Sequence, residues 1–301
     1  MTARSVSMAA PFRWFMKALD AGRRQPRALF GGFALLLAVG MVPSVLQLAA
    51  QALFPASPGA LMVAYGAVIG LSLVLMPPLS GAAFRLLHDC ETGRPAAATD
   101  LFNGYRDRDF AVRMVMTALL LMVAYLAVFA LLFTVVPGKE FFSELFARAA
   151  ATPPGGQPDM TGMPPLPPSF LLWLLAASAF LVVLGNAYML AFAHAAMAGQ
   201  GAVGAVGGGL AATLRNLLPL VGFFIVAMIV GFVLLLVFAL VVGLVAGLLG
   251  LVSPVLAMAV VLPLYLVLML VVYVVMFGFY YHAWREIFGE VADGPVDALE
   301  A

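Results

Sequence analysis

The chain has 301 residues, of which 64% are hydrophobic and only 10% are charged, and its net charge is +1. Soluble domains run about 45–50% apolar and about 25% charged, so an ordinary soluble fold is excluded. The near-neutral balance gives no electrostatic case for a nucleic-acid partner, and one cysteine, Cys90, excludes an internal disulfide.

The apolar residues lie in runs longer than the roughly 18 needed to cross a hydrocarbon core of about 30 Å. The sequence therefore predicts an all-α fold: a polytopic transmembrane helical bundle of six spans in three hairpins, with short interfacial amphipathic helices. Residues 1–27 read as a cytoplasmic leader. Between Pro11 and Pro26, Phe12, Phe15, Met16 and Leu19 share one helical face, with Arg13, Lys17, Asp20 and Arg24 on another. Pro11 suits a first helical turn and Pro26 ends the pattern. Such a helix would lie in the membrane interface with its arginines against anionic headgroups, as an anchor or as a partner-binding element.

Basic residues ahead of an apolar run, with Ala50-Gln51-Ala52 beyond it, have the look of a cleavable signal peptide. The run and the leader before it are both too long for one. Residues 28–53 read as the first span, and residues 60–84 as the second, joined by a turn at 54–59. The third span is expected at 111–136 and the fourth at 169–198, around an external interval at 137–168. A glycine-rich connector, 199–213, leads to a fifth apolar run at 217–252, and the sixth span covers 255–281. The membrane domain as a whole is 28–285, followed by an acidic cytoplasmic tail, 286–301. As one straight helix the fifth run would measure about 54 Å, so it must tilt, protrude or break near Gly243, Gly247 and Gly250.

Between the second and third spans, residues 84–113 form a charged island with five of the fifteen Lys/Arg and five of the fourteen Asp/Glu. Together with six basic residues in the leader, Arg215 and Arg285, the island puts the basic excess on one side of six spans. Only Lys139 and Arg148 fall on the other. Both termini are therefore expected to be cytoplasmic, where Cys90 would stay reduced. The approach Arg24-Gln25-Pro26-Arg27-Ala28-Leu29-Phe30-Gly31-Gly32-Phe33 also echoes Arg215-Asn216-Leu217-Leu218-Pro219-Leu220-Val221-Gly222-Phe223, in keeping with a threefold hairpin repeat.

Few residues can carry chemistry. His88, His194 and His282 each fall near the cytoplasmic end of an even-numbered span. They are the candidates for metal binding or proton movement, and His88-Asp89-Cys90-Glu91 would add donors. No two of them have the i, i+4 spacing of a helical metal site, so no metal and no cofactor is assigned; the alternative is an interfacial histidine with a satisfied hydrogen bond. No Asp, Glu, Lys or Arg stands near the middle of a span, which argues against a proton-driven mechanism and leaves open a passive pore or a lipid-handling groove. Asn186, beside Gly185, is the most interior strong polar group; it is either a helix–helix hydrogen bond or a substrate contact. Gln47 and Gln51 share a face near the outer end of the first span. Gly66/Gly70 and Gly243/Gly247 have the small-xxx-small spacing of close helix approach, with packing inside the chain as the default.

Outside the spans, residues 139–150 form an amphipathic pattern with Phe141, Phe142, Leu145 and Phe146 on its apolar side. Residues 153–168, rich in proline and glycine, read as an extended mobile loop. Met160 and Met163 could offer thioethers to Cu(I), without histidine or cysteine beside them. In the island, Thr99-Asp100 can cap a short helix that seats Leu101, Phe102 and Tyr105 in the interface, and Gly104 allows a tight turn. Arg106, Arg108 and Arg113 then stand at headgroup level as a candidate phosphate-binding cluster. Asp107 and Asp109 interleave with them, so a purely topology-setting loop is the alternative. The sequence carries no Gly-rich phosphate loop, no His-Glu-x-x-His and no Gly-x-Ser-x-Gly.

The segments Pro77-Pro78-Leu79-Ser80-Gly81, Gly93-Arg94-Pro95 and Asp100-Leu101-Phe102-Asn103-Gly104-Tyr105, with the basic approach ending in Pro26, resemble an uncharacterised proteobacterial family of six-span inner-membrane proteins. More distantly they are similar to the membrane domain of some glycerophosphoryl diester phosphodiesterases. The resemblance implies a bacterial inner-membrane location and this architecture. No phosphodiesterase domain is attached here, so that activity is not carried over. The expected role is a non-enzymatic scaffold or accessory subunit, with membrane lipids and a homo-oligomer or another membrane protein as partners. The alternative is a small transporter or lipid-handling protein with a cavity near Asn186. An enzyme would have to use His88, Asp89 and the neighbouring arginines.

Overall fold

The computed structural model describes residues 3–54, 57–152, 156–157 and 159–289. The acidic tail from residue 290 onward, residues 55–56 of the expected turn and residues 153–155 and 158 of the external loop lie outside the described residues.

Backbone in hydrocarbon must close its own hydrogen bonds, and each apolar run does so as a helix. In chain order the helices are α1 (Ala10–Leu19), α2 (Pro26–Leu53), α3 (Pro58–Thr92), a 3-10 turn (Ala98–Phe102), α4 (Asn103–Arg106), α5 (Arg108–Thr134), α6 (Lys139–Ala151), α7 (Ser169–Met197), α8 (Ala202–Arg215), α9 (Leu217–Gly250) and α10 (Pro254–Phe288). No strand occurs among the described residues. Helices α2, α3, α5, α7, α9 and α10 are long and apolar enough to cross a membrane, the pattern of a multi-pass helical membrane protein.

Two elements depart from expectation, and a third decides between its alternatives. Helix α3 continues beyond Phe84 to Thr92 and stops only at Gly93, whose φ of +75° is the left-handed C-terminal geometry that glycine adopts without cost. It therefore absorbs the first third of the charged island. Pro77 and Pro78 lie inside it and remove two N–H donors from its ladder; one turn away, the Tyr105 hydroxyl donates to the Leu75 carbonyl. The connector after α7 is itself a helix, α8. Its glycines let it approach α7 closely: a Cβ on Gly209 would sit 2.6 Å from both the Ala187 carbonyl oxygen and the Ala191 nitrogen. Tertiary contact overrides the poor helix propensity of Gly-Gly-Gly. Finally, α9 is a single unbroken helix of 34 residues, so no break occurs at Gly243 or Gly247.

The chain divides into two compact units, Met1–Leu120 with Asn186–Ala301, and Leu121–Gly185. The core of the first is aromatic. Phe33, Phe84 and Tyr273 surround Phe277, with Phe33 and Phe84 centroids at 5.2 and 4.8 Å from it. Helix α1 packs along α10 through Trp14, which is 1% exposed and meets Phe279 edge-on at 5.6 Å. The buried face of α1 is thus Ala10, Pro11, Trp14 and Ala18. The face expected from the sequence divides instead: Phe12 and Phe15 touch Phe223, while Met16 and Leu19 remain exposed. A Cβ on Gly278 of α10 would meet Ala18 at 3.0 Å, which explains a glycine there. The island also folds inward. Leu101, expected at the interface, is fully buried, and Gly104 serves close approach to the Pro78 carbonyl rather than a turn.

In the second unit, Phe141, Phe142, Phe170 and Trp173 form a continuous aromatic row with successive centroids 5.6 to 5.7 Å apart. Arg148 donates to Glu144 at 2.9 Å and to the Asp159 carbonyl at 2.7 Å, and it also bonds the Thr161 carbonyl. The described part of the loop is therefore tied to α6 rather than extended and free.

Candidate functional site at the charged end of the first unit

The last carbonyls of a helix lack intrahelical partners and carry the negative end of its dipole. At α7 they are met by two guanidinium groups: Arg113 Nε donates to the Ala195 carbonyl at 3.0 Å and Arg85 Nε to the Ala196 carbonyl at 3.3 Å. Both sit on the ring of Phe110, at 3.7 Å for Arg85 and 5.6 Å for Arg113. Asp107 holds this arrangement from below, accepting the Phe110 backbone N–H at 3.0 Å and pairing with Arg85 at 3.8 Å. The three expected headgroup arginines consequently separate. Arg113 caps a helix, whereas Arg106 and Arg108 are exposed without a hydrogen bond or ion pair among the described residues. Arg108 and Arg113 do share a surface cleft of about 670 Å³ with Asp109 and the start of α8, and Arg106 does not line it.

The histidines do not meet as a cluster. His88 Nδ1 lies 2.9 Å from the Tyr281 hydroxyl. His194 Nδ1 accepts the Trp284 indole N–H at 3.1 Å. His282 is buried, and its Nε2 has no partner among the described residues. Among those residues no group of three His, Cys, Asp or Glu is placed to hold a metal ion. Asp89 pairs with Arg94 at 3.6 Å, and Cys90 is buried.

Asn186 is 2% exposed and accepts from the Tyr280 hydroxyl at 3.2 Å, joining α7 to α10. It lines neither the cleft above nor a second one of about 430 Å³ beside α8. Gln51 donates to the Tyr65 hydroxyl at 3.0 Å, which links α2 to α3. The glycine pairs behave differently from expectation: a Cβ on Gly66, Gly70, Gly243 or Gly247 would meet nothing within 4 Å. Close approach is carried instead by Gly209 and Gly278, where a small neighbour or a bare backbone lies opposite.

Two residues that organise this end were not singled out from the sequence. Asn216, 0% exposed, accepts the Val6 backbone N–H at 2.8 Å and donates to the Arg4 and Ala212 carbonyls, both at 2.9 Å. Glu286 accepts from the Trp14 indole at 2.7 Å and from Arg13 at 2.8 Å. The signals available were an amide at the junction of two apolar helices and a lone carboxylate at the end of the last span. Neither identifies a partner 210 or 272 residues away in sequence.

No protein-family model matches the chain, and no curated protein or solved structure matches it.

Proposed function

We propose that this is a non-enzymatic inner-membrane scaffold or accessory subunit, with both termini cytoplasmic, that assembles with a second membrane-embedded chain. The observation that carries the proposal is the contrast between its two kinds of glycine. Where helices of this chain meet closely, glycine faces a neighbour. At Gly66/Gly70 of α3 and Gly243/Gly247 of α9, glycines four residues apart face open space. Glycine in a transmembrane helix sacrifices packing surface and is favoured where another helix approaches.

A transport role is less well supported. Asn186 is closed off by Tyr280, and Gln51 of α2 bonds Tyr65 of α3. The basic excess at the leader, the island, Arg215 and Arg285 supports the cytoplasmic assignment of that side. Kinship with the six-span inner-membrane family rests on the island segments and belongs to the same proposal.

Native mass spectrometry of the protein gently extracted with its lipids tests this role. A defined homo-oligomer or a retained partner chain is expected. A monomer carrying a stoichiometric small molecule would move the assignment to transport.

A further inference from the structure

The second cleft has features that neither helix packing nor partner assembly explains. It lies beside α8, its volume is about 430 Å³, and His194, Gln200, Gly204, Gly207, Gly208 and Arg215 line it. His194 is 2% exposed, and its ring is held flat against Phe288, with centroids 4.1 Å apart and planes 18° apart. An indole N–H can only donate. The Trp284 bond therefore makes His194 Nδ1 the acceptor, and the neutral ring carries its proton on Nε2. That Nε2 faces Gly208, where an added Cβ would lie 3.3 Å from it, and it has no hydrogen-bond partner among the described residues. A rigid, oriented, unused N–H thus points to the cleft wall.

The rest of the lining has the same polarity. Arg215 is positioned by one N–H given to the Ala3 carbonyl at 2.8 Å and brings a permanent positive charge. Gln200 adds an amide, and no carboxylate among the described residues lines the cleft. A Cβ on Gly207 would meet nothing within 4 Å, so the wall there is bare backbone and the space is real. His194 lies in the last turn of α7, and Arg215 ends α8 just before α9. Both are at the ends of spans, the depth at which headgroup phosphates sit.

We propose that this cleft binds a phosphate-bearing anion, with His194 Nε2–H and the Arg215 guanidinium as its donors. A buried N–H without an acceptor beside an exposed permanent cation selects an oxyanion, and a guanidinium matches phosphate oxygens geometrically. The phosphate can belong to an anionic phospholipid or be free in solution. The site is independent of the partner role above and stands or falls separately.

The test uses full-length protein in detergent, titrated in one arm with phosphatidylglycerol by native mass spectrometry and in the other with inorganic phosphate by calorimetry. His194→Phe would also leave the Trp284 N–H unpaired and confound folding with binding. Arg215→Gln and Gly207→Leu avoid that, the second because it fills the cleft at a position with no neighbour to displace. Binding of the lipid alone identifies a headgroup site, and binding of phosphate identifies the anion itself as sufficient. In either case each variant should weaken binding at least tenfold. Failure of both ligands to bind, or binding equal to wild type in both variants, overturns the proposal.

Discussion

Asn216 offers the sharpest quantitative expectation. Its side chain is fully buried and makes three hydrogen bonds, two of which hold the segment at Arg4 and Val6 against the junction of α8 and α9. A typical buried hydrogen bond contributes about 1 kcal/mol net, so Asn216→Ala should cost about 3 kcal/mol in all, of which about 2 kcal/mol, on the order of 30-fold, favours release of that segment. Asn216→Asp keeps an acceptor for the Val6 N–H but loses both donors, and should fall between wild type and alanine unless its charge is expelled to water. Hydrogen exchange followed by mass spectrometry on the peptide containing Val6 reads this directly, with a peptide from the middle of α2 as internal control. Faster exchange confined to the N-terminal peptide is expected. Unchanged exchange there, in a variant that is otherwise destabilised, would refute the role assigned to Asn216. The Arg4 N–H bond to the Ile287 carbonyl at 2.8 Å remains in all variants and limits the effect to less than complete release.

The three island arginines should respond unequally. Arg113→Gln removes a charged donor from the end of α7 and should lower stability by about 2 kcal/mol, whereas Arg106→Gln should stay within about 0.5 kcal/mol of wild type; equal shifts in thermal unfolding would sink the distinction. Tyr105 gives a pH signature. Burial pushes its phenol from 10.0 up to about 12, so it ionises later in the folded protein than in the unfolded chain. Its contribution is fully present below pH 10 and is lost as pH rises through about 12. Tyr105→Phe should flatten that alkaline limb, and a limb unchanged by the substitution would show that Tyr105 is not its source.

Much of the architecture could be read from the sequence because hydrocarbon imposes one solution on any long apolar run. All six spans stand where hydropathy puts them. What hydropathy could not resolve is where a span ends once charge begins. Helix α3 carries Arg85, His88, Asp89 and Glu91 in its final turns, because helix geometry persists until a residue such as Gly93 permits the exit. Composition marks 199–213 as a glycine-rich connector but does not announce the helix α8 within it, since three consecutive glycines favour a helix only where a neighbouring backbone needs the space. On α1, periodicity identified an apolar face but not the buried one, since Trp14 pairs with a carboxylate on α10 that no local pattern announces. The site suffers the same limit. His194 was visible as a histidine near a span end, but its usable N–H depends on which nitrogen Trp284 occupies. Asn216 was legible only as an amide between two helices.

Assembly through the glycine faces is best tested in isolated membranes with cysteine substitutions on α9. Leu236 shares the face of Gly243 and Gly247 at 3.6 residues per turn, and Leu234 lies on the opposite side. Both are exposed, at 54% and 63%, and the chain's one natural cysteine is buried, so each introduced thiol reports alone. Leu236→Cys should give a defined crosslinked adduct with a short bis-maleimide and Leu234→Cys should give none. Equal crosslinking at the two positions, or none at either, would contradict a partner seated on the glycine face of α9.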